Sequence, residues 1–224
     1  MKIAVFNHKG GVGKSTLTSH IAFRAIERNY PLAVMDIDRQ RNTMAWLSKH
    51  TSTNNYTEPF NIGSVYVTKF IEELETIKTD VIFDCPPSYD VVEQIKDTID
   101  VWIIPVDGRF SVDGRFSVDG AVNVLSELPK NSRAIVVSNK SYDSKFGNSE
   151  MLQIKKLPCE IYFTPLPTQD VVRKAEMLGV PAWKVPYGLR SMAAQNLVMF
   201  ADWVIDGIRS NQTYNFNAQP LLRA

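Results

Sequence analysis

Apolar positions along this chain fall into short runs set between longer amphipathic stretches. The runs are Ile3–Phe6, Leu32–Met35, Val81–Phe83, Val101–Val106, Ala134–Val137 and Ile161–Phe163. They are rich in β-branched residues and apolar at both alternations, as expected of strands buried on both faces. Helical spacing is read near Ser15–Arg28, Thr43–Lys49, Thr68–Lys78, Val91–Asp97, Ala121–Leu128 and Val171–Leu178, with a longer helix from about Ser191 to Ile208. The alternation predicts an α/β fold: a mostly parallel twisted sheet with helices on both faces and ligands at the carboxyl ends of its strands. Residues 50–60 and 141–150 are polar and read as loops, and the Asn/Gln-rich stretch after Arg209 reads as a frayed tail. The expected organisation is one domain over 1–208 and a polar tail over 209–224.

Composition narrows this picture. A chain of 224 residues with 44% hydrophobic content suits one sizeable domain whose core needs no disulfides. Cys85 and Cys159 lack metal-ligand spacing, so a reducing, cytoplasmic setting is expected. Met1–Asn7 reads as a strand, not a signal peptide, and no uncharged apolar run reaches membrane-spanning length, so no stable membrane anchor is expected. Net charge is +1, unevenly spread. Residues 1–128 carry 13 Lys/Arg against 17 Asp/Glu, and residues 129–224 carry 12 against 7. A basic C-terminal half suits an anionic partner such as DNA; alternatively, the acidic residues of the first half gather around a magnesium site.

The first strand runs into Asn7-His8-Lys9-Gly10-Gly11-Val12-Gly13-Lys14-Ser15-Thr16, and a helix follows at once. That is the setting of a phosphate-binding loop. Glycines let the backbone wrap a phosphate, whose oxygens accept N–H bonds at the positive end of the helix. Gly10 to Thr16 are the expected nucleotide contacts. Lys14 is expected to reach the β- and γ-phosphates, Ser15 to place its hydroxyl on Mg²⁺, and Thr16 to touch the α-phosphate. His8 replaces the usual glycine and reads as structural.

Two further strands close on acids. The second leads into Asp36-Ile37-Asp38-Arg39-Gln40, whose two carboxylates point the same way if the strand continues. Val81-Ile82-Phe83-Asp84 is followed by Cys85-Pro86-Pro87, and Asp84 is expected to hold Mg²⁺ through water. The prolines stop the strand and stiffen the next loop. Cys85 reads as a small buried thiol.

Together these motifs resemble the ParA/MinD family of deviant Walker ATPases, with the likeness running from Met1 to about Ile208. The Lys9-Gly10-Gly11-Val12-Gly13-Lys14-Ser15 signature carries it, although Arg39 stands where Asp-x-Asp-Pro-Gln has proline. The resemblance implies ATP and Mg²⁺ as cofactors and ATP hydrolysis as the activity. It implies an ATP-bound homodimer in which Lys9 reaches the partner's nucleotide. Asp38 would activate the attacking water, and Asp36 would support the magnesium shell. Asn139 would read adenine, and the loop containing Pro165 would close over the base. Non-specific DNA binding would fall to Arg173, Lys174, Lys184 and Arg190. A ParB-like centromere-binding or adaptor protein would stimulate turnover, and the ATP-bound form would be nucleoid-associated. A MinD-like membrane-associated positioning ATPase and a metabolic enzyme of the same fold are the alternatives. The former needs a basic amphipathic end, whereas the tail here has only Arg209 and Arg223 among polar residues.

One feature is not part of that family pattern. Asp107-Gly108-Arg109-Phe110-Ser111-Val112 is repeated without change as Asp113 to Val118. Six residues turn a helix by roughly 240°, so Phe110 and Phe116 would not share a helical face. One copy is expected to extend a loop, as a duplication without function.

Overall fold

A computed structural model describes residues 1–54, 62–63, 78–107, 116–129, 132–140, 159–167 and 169–210. The apolar runs form β1 (Lys2–Val5), β2 (Leu32–Asp36), β4 (Asp80–Asp84), β5 (Val101–Asp107), β6 (Arg133–Asn139) and β7 (Glu160–Leu166), with a two-residue strand β3 at Ile62–Gly63. All pairings are parallel, in the order β3-β2-β4-β1-β5-β6-β7. β1 therefore lies between β4 and β5, and its register sets Val5 beside Asp84, which in turn faces Asp36 on β2. The strand ends that carry chemistry thus share one edge of the sheet.

The helices are α1 (Lys14–Glu27), α2 (Asn42–Asn54), α3 (Tyr89–Glu93), α4 (Phe116–Glu127), α5 (Asp170–Leu178) and α6 (Met192–Ser210). Alternate strand residues feed two cores. Ile3, Val5, Val34 and Ile103 pack on one face with Leu17 and Ile21 of α1 and Phe200 and Ala201 of α6. Ala4, Phe6, Phe83 and Trp102 pack on the other with Ala121 and Val124 of α4. Doubly apolar strands require this two-sided cover. Arg24 of α1 forks onto Asp202 of α6 at 2.8 and 2.9 Å, and Arg28 reaches Asp202 at 3.0 Å and Asp206 at 2.6 Å. These pairs are part-exposed, so each adds about 1 kcal/mol or less. Their chief effect is to fix the rotation of α1, and with it the loop that α1 carries.

Several expectations change. The helix after β2 continues to Asn54, where a loop over 50–60 was expected. β3 is too short to leave a periodic signal. Pro165 lies within β7, not in a loop after it. β7 pairs on one side only, and a proline, which lacks an N–H, is tolerated at such an edge. β2 stops at Asp36, so the alternation that would align Asp36 with Asp38 does not apply. Most of the helix expected over Thr68–Lys78, the loop over 141–150 and Gly108–Arg115 of the direct repeat lie outside the described residues. Phe116, from the second copy, opens α4.

Candidate nucleotide-binding site

Asn7 pins the start of the loop. Buried at the end of β1, its amide donates to Pro105 O at 2.8 Å and accepts from the Lys9 N–H at 2.9 Å. Lys14 Nζ donates to the carbonyls of Asn7 and Lys9, both at 3.2 Å. Asn139 Nδ2 donates to Val12 O at 2.7 Å, Lys140 Nζ donates to Gly11 O, and Leu17 N–H donates to Gly13 O at 3.0 Å. The carbonyls of residues 7, 9, 11, 12 and 13 are thereby all committed to protein donors. Among the described residues, the N–H groups of Gly10, Gly11, Val12 and Gly13 meet no protein acceptor. Gly11 and Gly13 hold φ at +73° and +95°, a conformation that glycine adopts without strain. A loop with its carbonyls turned outward and its amides unengaged is a nest for an anion.

Burial lowers the Lys14 ammonium below its ordinary range, and the nearby Asp84, Cys85 and Asp38 partly offset this. Asp84 is fully buried, and burial pushes its carboxyl up to about 7 although the Ser15 and Thr43 hydroxyls favour the charged form. Thr43 Oγ1 donates to Asp84 Oδ2 at 2.7 Å, whereas Asp84 Oδ1 is buried without a full hydrogen bond. An orphaned carboxylate oxygen beside a serine hydroxyl at the start of α1 suits Mg²⁺, which takes one or two protein oxygens and keeps water and phosphate for the rest. Ser15 and Asp84 fit that role.

Asp36 lies beside Asp84 in the sheet and is also held by the turn that follows it. Its Oδ1 accepts from Asp38 N–H at 3.2 Å and its Oδ2 from Met44 N–H at 2.9 Å, so this buried carboxylate caps α2. No group of three His, Cys, Asp or Glu side chains suited to a metal occurs among the described residues. Asp38 accepts the Gln40 N–H at 2.9 Å and lines the cleft.

That cleft, of about 280 Å³, opens over the loop and is lined by Gly10, Lys14, Ser15, Thr16, Asp38 and Lys140, among others. Lys9 stands beside the loop, and among the described residues no hydrogen bond or ion pair holds its ammonium. The His8 ring is edge-on to Phe6 at 5.0 Å, and its Nε2 lies 2.8 Å from Glu127. Asn139 gives one of its two amide N–H groups to the loop, at Val12 O. Arg173 and Lys174 are exposed on α5. Lys184 lies 3.5 Å from Glu27, and Arg190 lies over the Tyr187 ring at 4.9 Å. Cys85 is fully buried, which drives its thiol well above its ordinary range.

Residues 3–182 match the CobQ/CobB/MinD/ParA nucleotide binding domain. The chain belongs to that family. An uncharacterised protein of Methanocaldococcus jannaschii is 25% identical, over 92% of this chain and 99% of that protein. The fold is similar to the MinD cell division protein of Aquifex aeolicus, with TM-score 0.65 and 17% identity over 92% of this chain and 97% of that one. It is also similar to a ParA family ATPase of Chlorobium tepidum, with TM-score 0.65 and 16% identity over 89% and 96%. Cobyrinic acid a,c-diamide synthase of Mycobacterium smegmatis, bound to an ATP analogue and magnesium, gives TM-score 0.61 and 17% identity over 94% and 96%.

Family membership agrees with the loop geometry, since both concern nucleotide phosphates. Sequence reasoning missed Asn7, Thr43 and Lys140. Asn7 sits between a strand and a glycine-rich loop, where its type alone marks only a turn. Thr43 opens a helix and reads as a simple helix-start residue. Lys140 adjoins the Asn139 signal and was passed over because its partner, Gly11, is 129 positions away.

Proposed function

We propose that this protein is an ATP-dependent dimerising switch that hydrolyses ATP and positions or segregates DNA cargo, as in plasmid partition. The observation that carries the nucleotide reading is the loop's set of unengaged amides above Lys14, next to the orphaned Asp84 oxygen. ATP supplies the transferable phosphoryl group, and Mg²⁺ offsets its charge. Of the chain's own residues, Gly10–Gly13 amides receive the phosphates, and Lys14 reaches toward them. Ser15 and Asp84 orient the metal's water shell, while Asp38 orients a water at the open side of the cleft. Lys9, whose ammonium no described residue holds, serves a second copy across the cleft. A cation supplied in trans lowers the cost of charge developing during transfer.

Exposed Arg173 and Lys174 support a DNA-binding surface on the dimer, joined by Lys184 and Arg190. Binding of this kind rests on phosphate contacts and weakens steeply with salt. A ParB-like centromere-binding or adaptor protein is the proposed stimulating partner, with the ATP form on the nucleoid. No helix among the described residues is long and apolar enough to cross a membrane.

The test is a duplex-DNA titration with ATP, ADP and no nucleotide at two salt concentrations, run beside light scattering. The reading expects a dimer and DNA binding with ATP alone, and a steep loss at the higher salt. A dimer that ignores DNA at low salt overturns the partition role and favours a membrane or metabolic one.

A further inference from the structure

Asn139 and Lys140, consecutive residues at the end of β6, both reach across to the phosphate loop. Asn139 Nδ2 bonds to Val12 O at 2.7 Å, and Lys140 Nζ bonds to Gly11 O. The contact is built into the packing. A Cβ at Gly13 would overlap Asn139 Nδ2 and would lie 3.8 Å from Lys140 Cε. Lys140 also holds φ at +55°, a region unfavourable for a residue with a long side chain. Such strain persists where the surroundings hold it in place, and here the side chain's hold on the loop does so.

Each of these bonds fixes the direction of a peptide group. A peptide's N–H and C=O point oppositely, so drawing the Gly11 and Val12 carbonyls toward β6 turns the amides of Val12 and Gly13 away from β6. Lys14 applies the same constraint from the other side, through the carbonyls of Asn7 and Lys9. Between them, β6 and Lys14 hold both halves of the loop.

We propose that Asn139 and Lys140 are positioning residues that preset the phosphate loop for anion binding, so that the end of β6 acts on the phosphates through the loop. This rests on the nucleotide-binding reading above and gives Asn139 a role in the loop in addition to any contact with the base. The chemical class recognised through the clamp is a polyphosphate, with or without a nucleoside.

The test compares Mg²⁺-ATP with inorganic tripolyphosphate, which has no base, by calorimetric titration of the full chain. Lys140→Met removes the donor, and Lys140→Arg restores one. The expected result is about a tenfold loss of affinity for both ligands in Lys140→Met, recovered largely in Lys140→Arg; tenfold is the scale of one charge-assisted hydrogen bond. Melting without ligand checks the fold, and the proposal expects Lys140→Met to melt within a few degrees of wild type. A loss confined to ATP identifies a base contact and overturns the clamp. Unchanged binding of both ligands also overturns it. A Lys140→Met variant whose melting temperature falls sharply, with Lys140→Arg unable to restore tripolyphosphate binding, overturns it as well by showing a role in general stability. Wild type that binds neither ligand refutes the nucleotide reading itself, so the two failures are distinguishable.

Discussion

Thr43, in the first turn of α2, donates its hydroxyl to Asp84 Oδ2 at 2.7 Å, tying the element that follows β2 to the carboxylate that ends β4. Asp84 is thereby held with one oxygen engaged and the other, Oδ1, buried without a full hydrogen bond. Thr43→Val keeps the shape and removes the donor. It leaves a buried acceptor unpaired, so stability at pH 8 should fall by about 1–3 kcal/mol in urea unfolding. The same variant should need several-fold more Mg²⁺ for half-maximal nucleotide binding, read by titration at fixed ATP. An unchanged Mg²⁺ requirement would remove Thr43 from the site.

Lys14 and Asp38 should separate binding from turnover. Lys14→Ala deletes the ammonium that both shapes the loop and faces the cleft, and nucleotide binding should be lost. The Asp38 carboxylate accepts the Gln40 amide in its own turn and lines the cleft, so Asp38→Ala should retain ATP yet lose hydrolysis. Binding titrations beside a phosphate-release assay check both. Normal turnover in Asp38→Ala excludes it from the mechanism.

His20 should make the fold sensitive to acid. It is fully buried; Nδ1 lies 2.7 Å from Thr16 O, Nε2 accepts the Ala182 N–H at 3.1 Å, and burial lowers its pKa to about 4. Because the folded value is depressed below 6.5, the unfolded chain binds the proton first. His20 therefore costs no stability above about pH 6.5, and stability falls as pH drops from 6.5 toward 4. The shift corresponds to about 3 kcal/mol. Asp84, raised to about 7, acts in the opposite sense throughout this range. The difference between wild type and His20→Gln in urea unfolding at pH 7.5 and pH 4.5 isolates the histidine. A difference that does not change with pH contradicts this account.

Lys9 should matter for assembly and not for folding. No partner within its own chain holds its ammonium among the described residues, so Lys9→Ala should alter monomer stability by less than about 0.5 kcal/mol. With ATP it should shift the light-scattering mass from dimer toward monomer. An ATP dimer equally tight in Lys9→Ala would place the lysine outside the interface.

The sequence by itself determined the elements and the loop. Apolar runs such as Val101–Val106 are buried on both alternations, which only a covered parallel sheet satisfies, and Gly10 to Ser15 can follow a strand in that spacing only as a phosphate nest. Both signals are local, carried by contiguous residues whose period and backbone freedom are readable in place. The assignments that depended on distant partners were decided by tertiary structure alone. Asp36 became a cap because β2 stops there and α2 presents its amides. Asn139 became a loop contact because β6 lies near enough to β1 for its amide to reach Val12. Thr43 and Lys140 entered the site for the same reason. A side chain's hydrogen-bond capacity is fixed by its type, but its partner is fixed by which strand ends the sheet order brings together, and that order is a property of the packed whole.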